Sequence, residues 1–181
     1  MDFTNLIAAI EKDIRHMAEK YYEDILKSDK MENYAKLDKE KVISREESVF
    51  KNMVNWLRTG REDDKAEKFF ENIGSERFNE GFPLAEINYA LHIDKQVVWN
   101  YIIPKKDSDI FPNVEEFQNT AILLSNYFDL GNFYMTRGYM NALCTALENT
   151  GKFKREELQT IIKKGAFDED FDMSDIIWYH V

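Results

Sequence analysis

The sequence is poor in the residues that cross-link a chain or interrupt its helices. Its 181 residues include one cysteine, Cys144, which excludes an internal disulfide and favours a reducing, cytoplasmic setting. Only 7 glycines and 3 prolines are present, which favours long helices over a many-turned β fold. The N-terminus lacks a basic segment followed by an apolar run, and no apolar run reaches about 18 residues. We therefore expect neither a signal peptide nor a membrane span.

Motifs for catalysis and metal binding are lacking too. The three histidines, His16, His92 and His180, have no paired spacing that would bind zinc. There is no Gly-rich phosphate loop, and no spacing suggests a Ser/His/Asp triad. Adjacent acidic residues such as Glu46 and Glu47 point in different directions on a helix, so they do not converge for acid–base chemistry. The sequence thus predicts a non-enzymatic protein without a metal or cofactor.

Composition indicates a packed and acidic globule. The 34 acidic and 24 basic residues give a formal net charge of −10, which weighs against binding to nucleic acid or to anionic membranes. The hydrophobic fraction is 44%, with 13 Phe and 9 Tyr, and a chain of this length can bury its own core.

Apolar residues recur at helical spacing along most of the chain and predict an all-α bundle of five to six helices. The first stripe is Leu6, Ile10, Ile14, Met17, Tyr21 and Ile25. The predicted helices cover residues 4–26, 38–60, 63–80, 84–102, 112–148 and 153–164. The fifth would be about 55 Å long, so it either kinks at Gly131 or Gly138 or projects towards a partner. We assign residues 1–150 to one helical domain and 151–181 to a short helix with an acidic tail.

Small residues on the long predicted helix suggest a close helix crossing. Gly131, Gly138 and Thr145 are seven residues apart, and Ala142 flanks the same seam. This spacing permits either a homodimer seam or a crossing within one chain, and we favour the dimer because of the helix length.

A second candidate region is a ligand pocket near Ile73, Arg77, Phe82 and Trp99. Arg77 follows Ile73-Gly74 on an apolar helix, and it needs Glu80, Glu86 or a bound anion as a partner unless it is exposed. The many aromatic residues can line an apolar pocket or simply form the core. The ligand expected here is a small apolar or anionic molecule.

Three segments resemble the N-terminal domain of RsbT co-antagonist (RsbR-type) stressosome proteins. They are W-L-R-T-G at 56–60, F-x-x-I-G-x-x-R-x-x-x-G-F-x-L-x-E-I-x-x-A-L at 70–91, and V-V-W-N-Y-I at 97–102. The resemblance covers residues 1–148 and implies an all-α, globin-like, non-haem domain that dimerises and passes a signal to a C-terminal output domain. The segment at 70–91 is also similar to sensor globins, in which a haem-ligating histidine occupies the position of Arg77. A guanidinium has no lone pair to give to iron, so we expect no haem.

These observations predict a non-catalytic cytoplasmic sensor domain of the stress-response regulator type, which dimerises and relays a ligand or partner signal. Two alternatives stay open. One is a haem-binding gas sensor that uses His92. The other is a stand-alone interaction module whose acidic, aromatic tail, residues 166–181, recognises a protein partner.

Overall fold

The computed structural model describes residues 3–59 and 63–164. The regular secondary structure in these ranges is entirely helical, which confirms the all-α prediction. The seven α-helices of the described part are α1 (Thr4–Lys27), α2 (Glu32–Ala35), α3 (Lys39–Arg58), α4 (Asp63–Asn79), α5 (Leu84–Ile102), α6 (Val114–Asn149) and α7 (Arg155–Lys164), with a 3₁₀ turn over Ile103–Lys105.

Helix α1 buries the apolar stripe that was predicted from its sequence. All six residues of its predicted stripe are buried, from Leu6 to Ile25. The stripe packs mainly on α3 and also on α5, so the first half of the chain forms one continuous hydrophobic cluster. Burial of such a stripe, rather than helix propensity alone, stabilises helices of this length.

Local capping residues set several helix ends. The Asp38 side chain accepts a hydrogen bond from the Lys41 N–H at 3.1 Å and starts α3. The Asn113 side chain accepts one from the Glu116 N–H at 2.9 Å at the start of α6. After α4, Gly81 has φ +84° and the Phe82 N–H donates back to the Arg77 carbonyl at 3.0 Å. This is the left-handed ending that glycine permits, and it turns the chain towards α5.

Helix α2 is a single turn that lies between the first two predicted helices, where no helix was expected. The backbone N–H groups of Asn33 and Tyr34 donate to Glu86 at 2.7 and 2.9 Å, and the Asn33 side chain donates to the same carboxylate at 2.7 Å. Glu86 is 6% exposed and lies in the first turn of α5. A long-range carboxylate therefore satisfies the donors of this turn, and short-range patterns do not reveal such a contact.

Helices α4 and α6 cross at backbone contact distance. A Cβ on Gly74 would lie 2.0 Å from the Met135 carbonyl oxygen, and one on Gly138 would lie 2.1 Å from the Glu71 carbonyl oxygen. A Cβ on Gly131 would lie 2.7 Å from the Phe70 ring. Glycine is thus required at this crossing because no side chain fits between the two backbones.

The chain divides into two compact units, Met1–Tyr139 and Met140–Val181. The division falls inside α6, whereas the sequence analysis placed it after residue 150. In the second unit, the Arg155 guanidinium pairs with Glu148 at 3.0 Å. Across the described residues, no helix combines the length and apolarity that crossing a membrane requires.

Candidate functional site

The first unit contains a cavity of about 270 Å³ between α3, α4 and α5. This volume accommodates about nine water molecules, at about 30 Å³ each, so it suits a small molecule. Its apolar wall is built from Val42, Val49, Phe69, Phe70, Ile73, Ile87, Ala90, Leu91 and Met135, and its polar lining from Tyr21, Tyr34, Arg45, Glu46, Ser48, Asn72, Glu76, Arg77 and Asp94. The exposed members, Ser48, Asn72 and Glu76, mark the mouth, and the buried ones mark the floor.

Two carboxyl groups meet at the floor. Glu46 of α3 is 4% exposed and Asp94 of α5 is 3% exposed. Burial raises the pKa of Asp94 well above its usual range, and the neighbouring Glu46 raises it further. Burial also raises the pKa of Glu46, although hydrogen-bonding contacts with Asp94 and Tyr21 and the charge of Arg77 oppose the rise. Both carboxyl groups are therefore harder to ionise than exposed ones, Asp94 more so than Glu46, and they titrate as a pair.

Two tyrosines enclose this pair and stay protonated. Burial, followed by the charges of Glu46 and Asp94, raises the pKa of Tyr21 well above its ordinary value. Burial raises the pKa of Tyr34 to about 12, although Arg77 acts in the opposite direction. Their hydroxyl groups therefore remain neutral hydrogen-bonding groups at neutral pH.

Arg77 is the buried cation of the site, with 6% of its surface exposed. Its Nη1 donates to Glu80 Oε2 at 3.0 Å and lies 3.7 Å from Glu76 Oε2. Burial works to lower the pKa of Arg77, but Tyr34, Glu80 and Glu76 outweigh it and the pKa rises. Glu80 also pairs with Arg45, so one carboxylate bridges two guanidinium groups near the mouth.

Each of four lining side chains leaves a buried polar atom without a hydrogen-bond partner. These atoms are Arg45 Nη1, Glu46 Oε1, Arg77 Nε and Asp94 Oδ1. An unsatisfied buried polar group costs about 1–3 kcal/mol, and more when it is charged. Two acceptors without a donor and two donors without an acceptor, all around one cavity, are typical of a binding site whose ligand supplies the partners.

The structure brings together half of the residues predicted to bind a ligand. Ile73 and Arg77 both line the cavity. Phe82 is buried beneath it, with its ring 4.7 Å from that of Tyr34, and Trp99 is half-buried against the core without lining the cavity. Phe82 therefore supports a wall residue, and Trp99 has no place in this site.

The glycines proposed for a dimer seam contact another helix of the same chain. Gly131 and Gly138 are buried against α4, which corresponds to the alternative of an intramolecular crossing. Ala142 is half-buried and Thr145 is exposed, with its hydroxyl donating to the Asn141 carbonyl at 3.0 Å. The two glycines cannot form a seam with a second chain while α4 occupies that face, and dimerisation stays a prediction.

The residues named in the two alternatives lie elsewhere. His92 is exposed on α5, where its Nε2 lies 3.0 Å from the Gln96 side-chain nitrogen, and it does not line the cavity. The acidic tail, residues 166–181, and His180 within it lie outside the described residues. No group of three or more His, Cys, Asp or Glu side chains that could hold a metal ion occurs among the residues that the structure describes.

Comparison with known proteins adds no family. Neither the family models, nor the curated proteins, nor the solved structures contain a match to this chain. The site therefore has to be interpreted from its own chemistry. A buried carboxyl pair can hold a cationic or hydrogen-bond-donating group, and it can also exchange a proton with a bound molecule.

Sequence reasoning missed the two central residues of the site. Glu46 was dismissed with its neighbour Glu47, yet it falls on the buried stripe of α3 between Val42 and Val49. Asp94 follows Ala90 and Leu91 and precedes Val97 and Val98, so it also lies on an apolar face. A charged residue at a core position of each of two neighbouring helices was the available signal, because such residues are rarely buried unless they are paired.

Proposed function

We propose that this chain is a non-catalytic cytoplasmic sensor domain that binds a small ligand in the cavity between α3, α4 and α5. The supporting observation is the set of four buried, unpartnered polar atoms on side chains that line one cavity. A purely structural core would satisfy such groups or replace them with apolar ones. The resemblance to stressosome N-terminal domains, with their globin-like fold, dimerisation and signalling partner, supports the same role.

The position of α4 suggests how occupancy would be relayed. Ile73 and Arg77 of α4 line the cavity, and Gly74 between them presses on the α6 backbone at Met135. Because backbone atoms rather than flexible side chains make this contact, a shift of α4 around a ligand is transmitted directly to α6. A ligand changes the balance only if it binds the two helix packings unequally.

Native mass spectrometry of the full chain after incubation with a cell metabolite extract tests this function. We expect a retained small mass on the wild-type protein that is lost from Arg77→Ala. The matched control is Arg58→Ala, because Arg58 is an exposed α3 residue paired with Glu11 at 2.6 Å. It should retain the added mass.

Two results would overturn the proposal: no retained mass and no thermal stabilisation with any extract fraction, or equal retention by wild type and Arg77→Ala. If Arg77→Ala fails to fold, Ser48→Phe provides a second variant. Ser48 is exposed at the mouth of the cavity, so the phenyl ring narrows the entrance and no buried polar group is removed.

A further inference from the structure

The chemistry of the unpartnered groups restricts the ligand class, and this inference rests on the function proposed above. Glu46 Oε1 and Asp94 Oδ1 are acceptors, whereas Arg77 Nε and Arg45 Nη1 are donors with a fixed positive charge. An apolar ligand would leave all four unsatisfied. A simple anion would complement only the guanidinium groups, and a simple amine only the carboxyl pair.

The charges of the site also favour a ligand that carries both a positive and a negative group. Glu46 Oε1 has no hydrogen-bond partner in the described part of the protein, although the charge of Arg77 acts to lower the pKa of Glu46. Arg77 and Arg45 share the single carboxylate of Glu80, and Glu76 adds a more distant one. The carboxyl pair therefore favours a cation, and the two guanidinium groups favour an anion.

We propose that the cavity binds a small zwitterion with an apolar body, an amino acid or other amino-carboxylate, whose ammonium is held by Glu46 and Asp94 and whose carboxylate is held by Arg77 and Arg45. The ammonium supplies three donors to the carboxyl pair, and the carboxylate accepts from the guanidinium groups. Phe69, Phe70, Leu91 and Met135 pack on the apolar part of the ligand.

Ammonium binding favours ionisation of the pair. A cation beside the pair stabilises the ionised form of Asp94 and lowers its raised pKa, so protons are released to solvent wherever the unliganded pair is still protonated. The other groups that face the pair do not titrate near neutral pH: Tyr21 from α1, Tyr34 from α2 and Tyr127 from α6 have raised pKa values, and Arg77 from α4 stays charged. Affinity therefore increases with pH as long as the pH is below the raised pKa of Asp94 in the unliganded protein.

Calorimetric titration of the full chain with matched probes tests the ligand class. One set is 6-aminohexanoate, hexylamine and hexanoate, and the other is L-leucine, 3-methylbutylamine and 4-methylpentanoate. We expect at least one zwitterion to bind about tenfold or more tightly than both of its singly charged analogues. The same titration in two buffers of different ionisation enthalpy should show proton release by the wild-type chain and none by Asp94→Asn.

Variants separate the two ends of the ligand. Glu46→Gln should weaken zwitterion binding by about tenfold or more while leaving hexanoate binding unchanged. Glu47→Gln is the matched control, because Glu47 lies next in sequence, pairs with Lys51 at 2.9 Å and does not line the cavity. It should bind the zwitterion as wild type does.

Binding of either singly charged analogue as tightly as its zwitterion overturns the ligand class, and so does failure of every probe to bind. The proposed sensor function fails separately, when no extract component is retained by the wild-type chain. A retained ligand without an ammonium group would leave the sensor function standing and eliminate the zwitterion.

Discussion

At the scale of single residues, the buried carboxyl pair dominates the chemistry of the protein. Asp94 is 3% exposed and lies beside Glu46, and both its burial and this neighbour raise its pKa. The folded chain therefore binds a proton on this residue more tightly than the unfolded chain does. Such linkage makes stability depend on pH.

Asp94→Asn should stabilise the folded protein at neutral pH. The folded pKa of Asp94 is raised, so its contribution to stability is complete below the unfolded pKa, about 4, and declines as pH rises towards the folded pKa. Asparagine cannot ionise, so the variant does not lose stability in this way as pH rises, and its amide can still donate to Glu46. We expect a gain of about 1 kcal/mol or more in the free energy of unfolding at neutral pH, shrinking towards about pH 4, in urea titrations across pH.

The control for this prediction is Glu47→Gln. Lys51 and, to a smaller extent, Arg15 lower the pKa of Glu47. The contribution of Glu47 to stability is therefore present at neutral pH and is lost as the pH falls through the lowered pKa. This substitution should slightly destabilise the protein at neutral pH, opposite in sign to Asp94→Asn. A loss of stability in Asp94→Asn at neutral pH would show that Asp94 is ionised in the folded state.

At the scale of helices, the crossing of α4 and α6 joins the cavity to the longest element of the fold. Gly74 and Gly138 each leave only enough space for the opposing carbonyl group. The resulting contact is made by backbone atoms, which cannot move aside as a flexible side chain would. Helix α6 is 36 residues long, and the crossing lies in the part of it that belongs to the first unit.

Gly138→Ala should destabilise the protein through this crossing. The added Cβ overlaps the Glu71 carbonyl, and the strain exceeds the helix-propensity gain of about 1 kcal/mol. We expect a net loss of about 2 kcal/mol in chemical denaturation, which does not vary with protein concentration because the crossing is intramolecular. Asn126→Ala, at an exposed position of the same helix, should change stability by only about 0.5 kcal/mol or less.

A concentration-dependent loss in Gly138→Ala would instead place this glycine in a dimer interface. The sequence spacing allowed both arrangements, because close approach of two helices requires small residues in either case. Only the position of α4 distinguishes them.

At the scale of the whole molecule, the net charge of −10 affects the homodimer predicted from the sequence. Two such chains repel each other at long range, and salt screens this repulsion over about 10 Å at 0.1 M. We expect sedimentation velocity to show a dimer whose dissociation constant decreases as salt increases. A chain that stays monomeric at every concentration and salt level would contradict dimerisation without affecting the ligand site.

Much of the fold could be predicted because its signals are local. The α1 stripe, the Asp38 cap and the α5 range 84–102 all follow from the spacing of apolar residues and from residues that start or end helices. Helix α2 was missed because its donors are satisfied by Glu86, more than fifty positions away. Part of the site was likewise predictable, since Ile73 and Arg77 stand out within one helix.

By itself, the sequence determined the all-α class, the order and approximate bounds of the long helices, and the net negative charge. These depend on composition and on periods of three to four residues, which act over one or two helical turns. Tertiary structure decided that Glu46 and Asp94 meet, that Gly131 and Gly138 face α4, and that Trp99 lies away from the cavity. Those outcomes depend on which helix faces are brought together, and the spacing of residues along one helix carries no information about its neighbour.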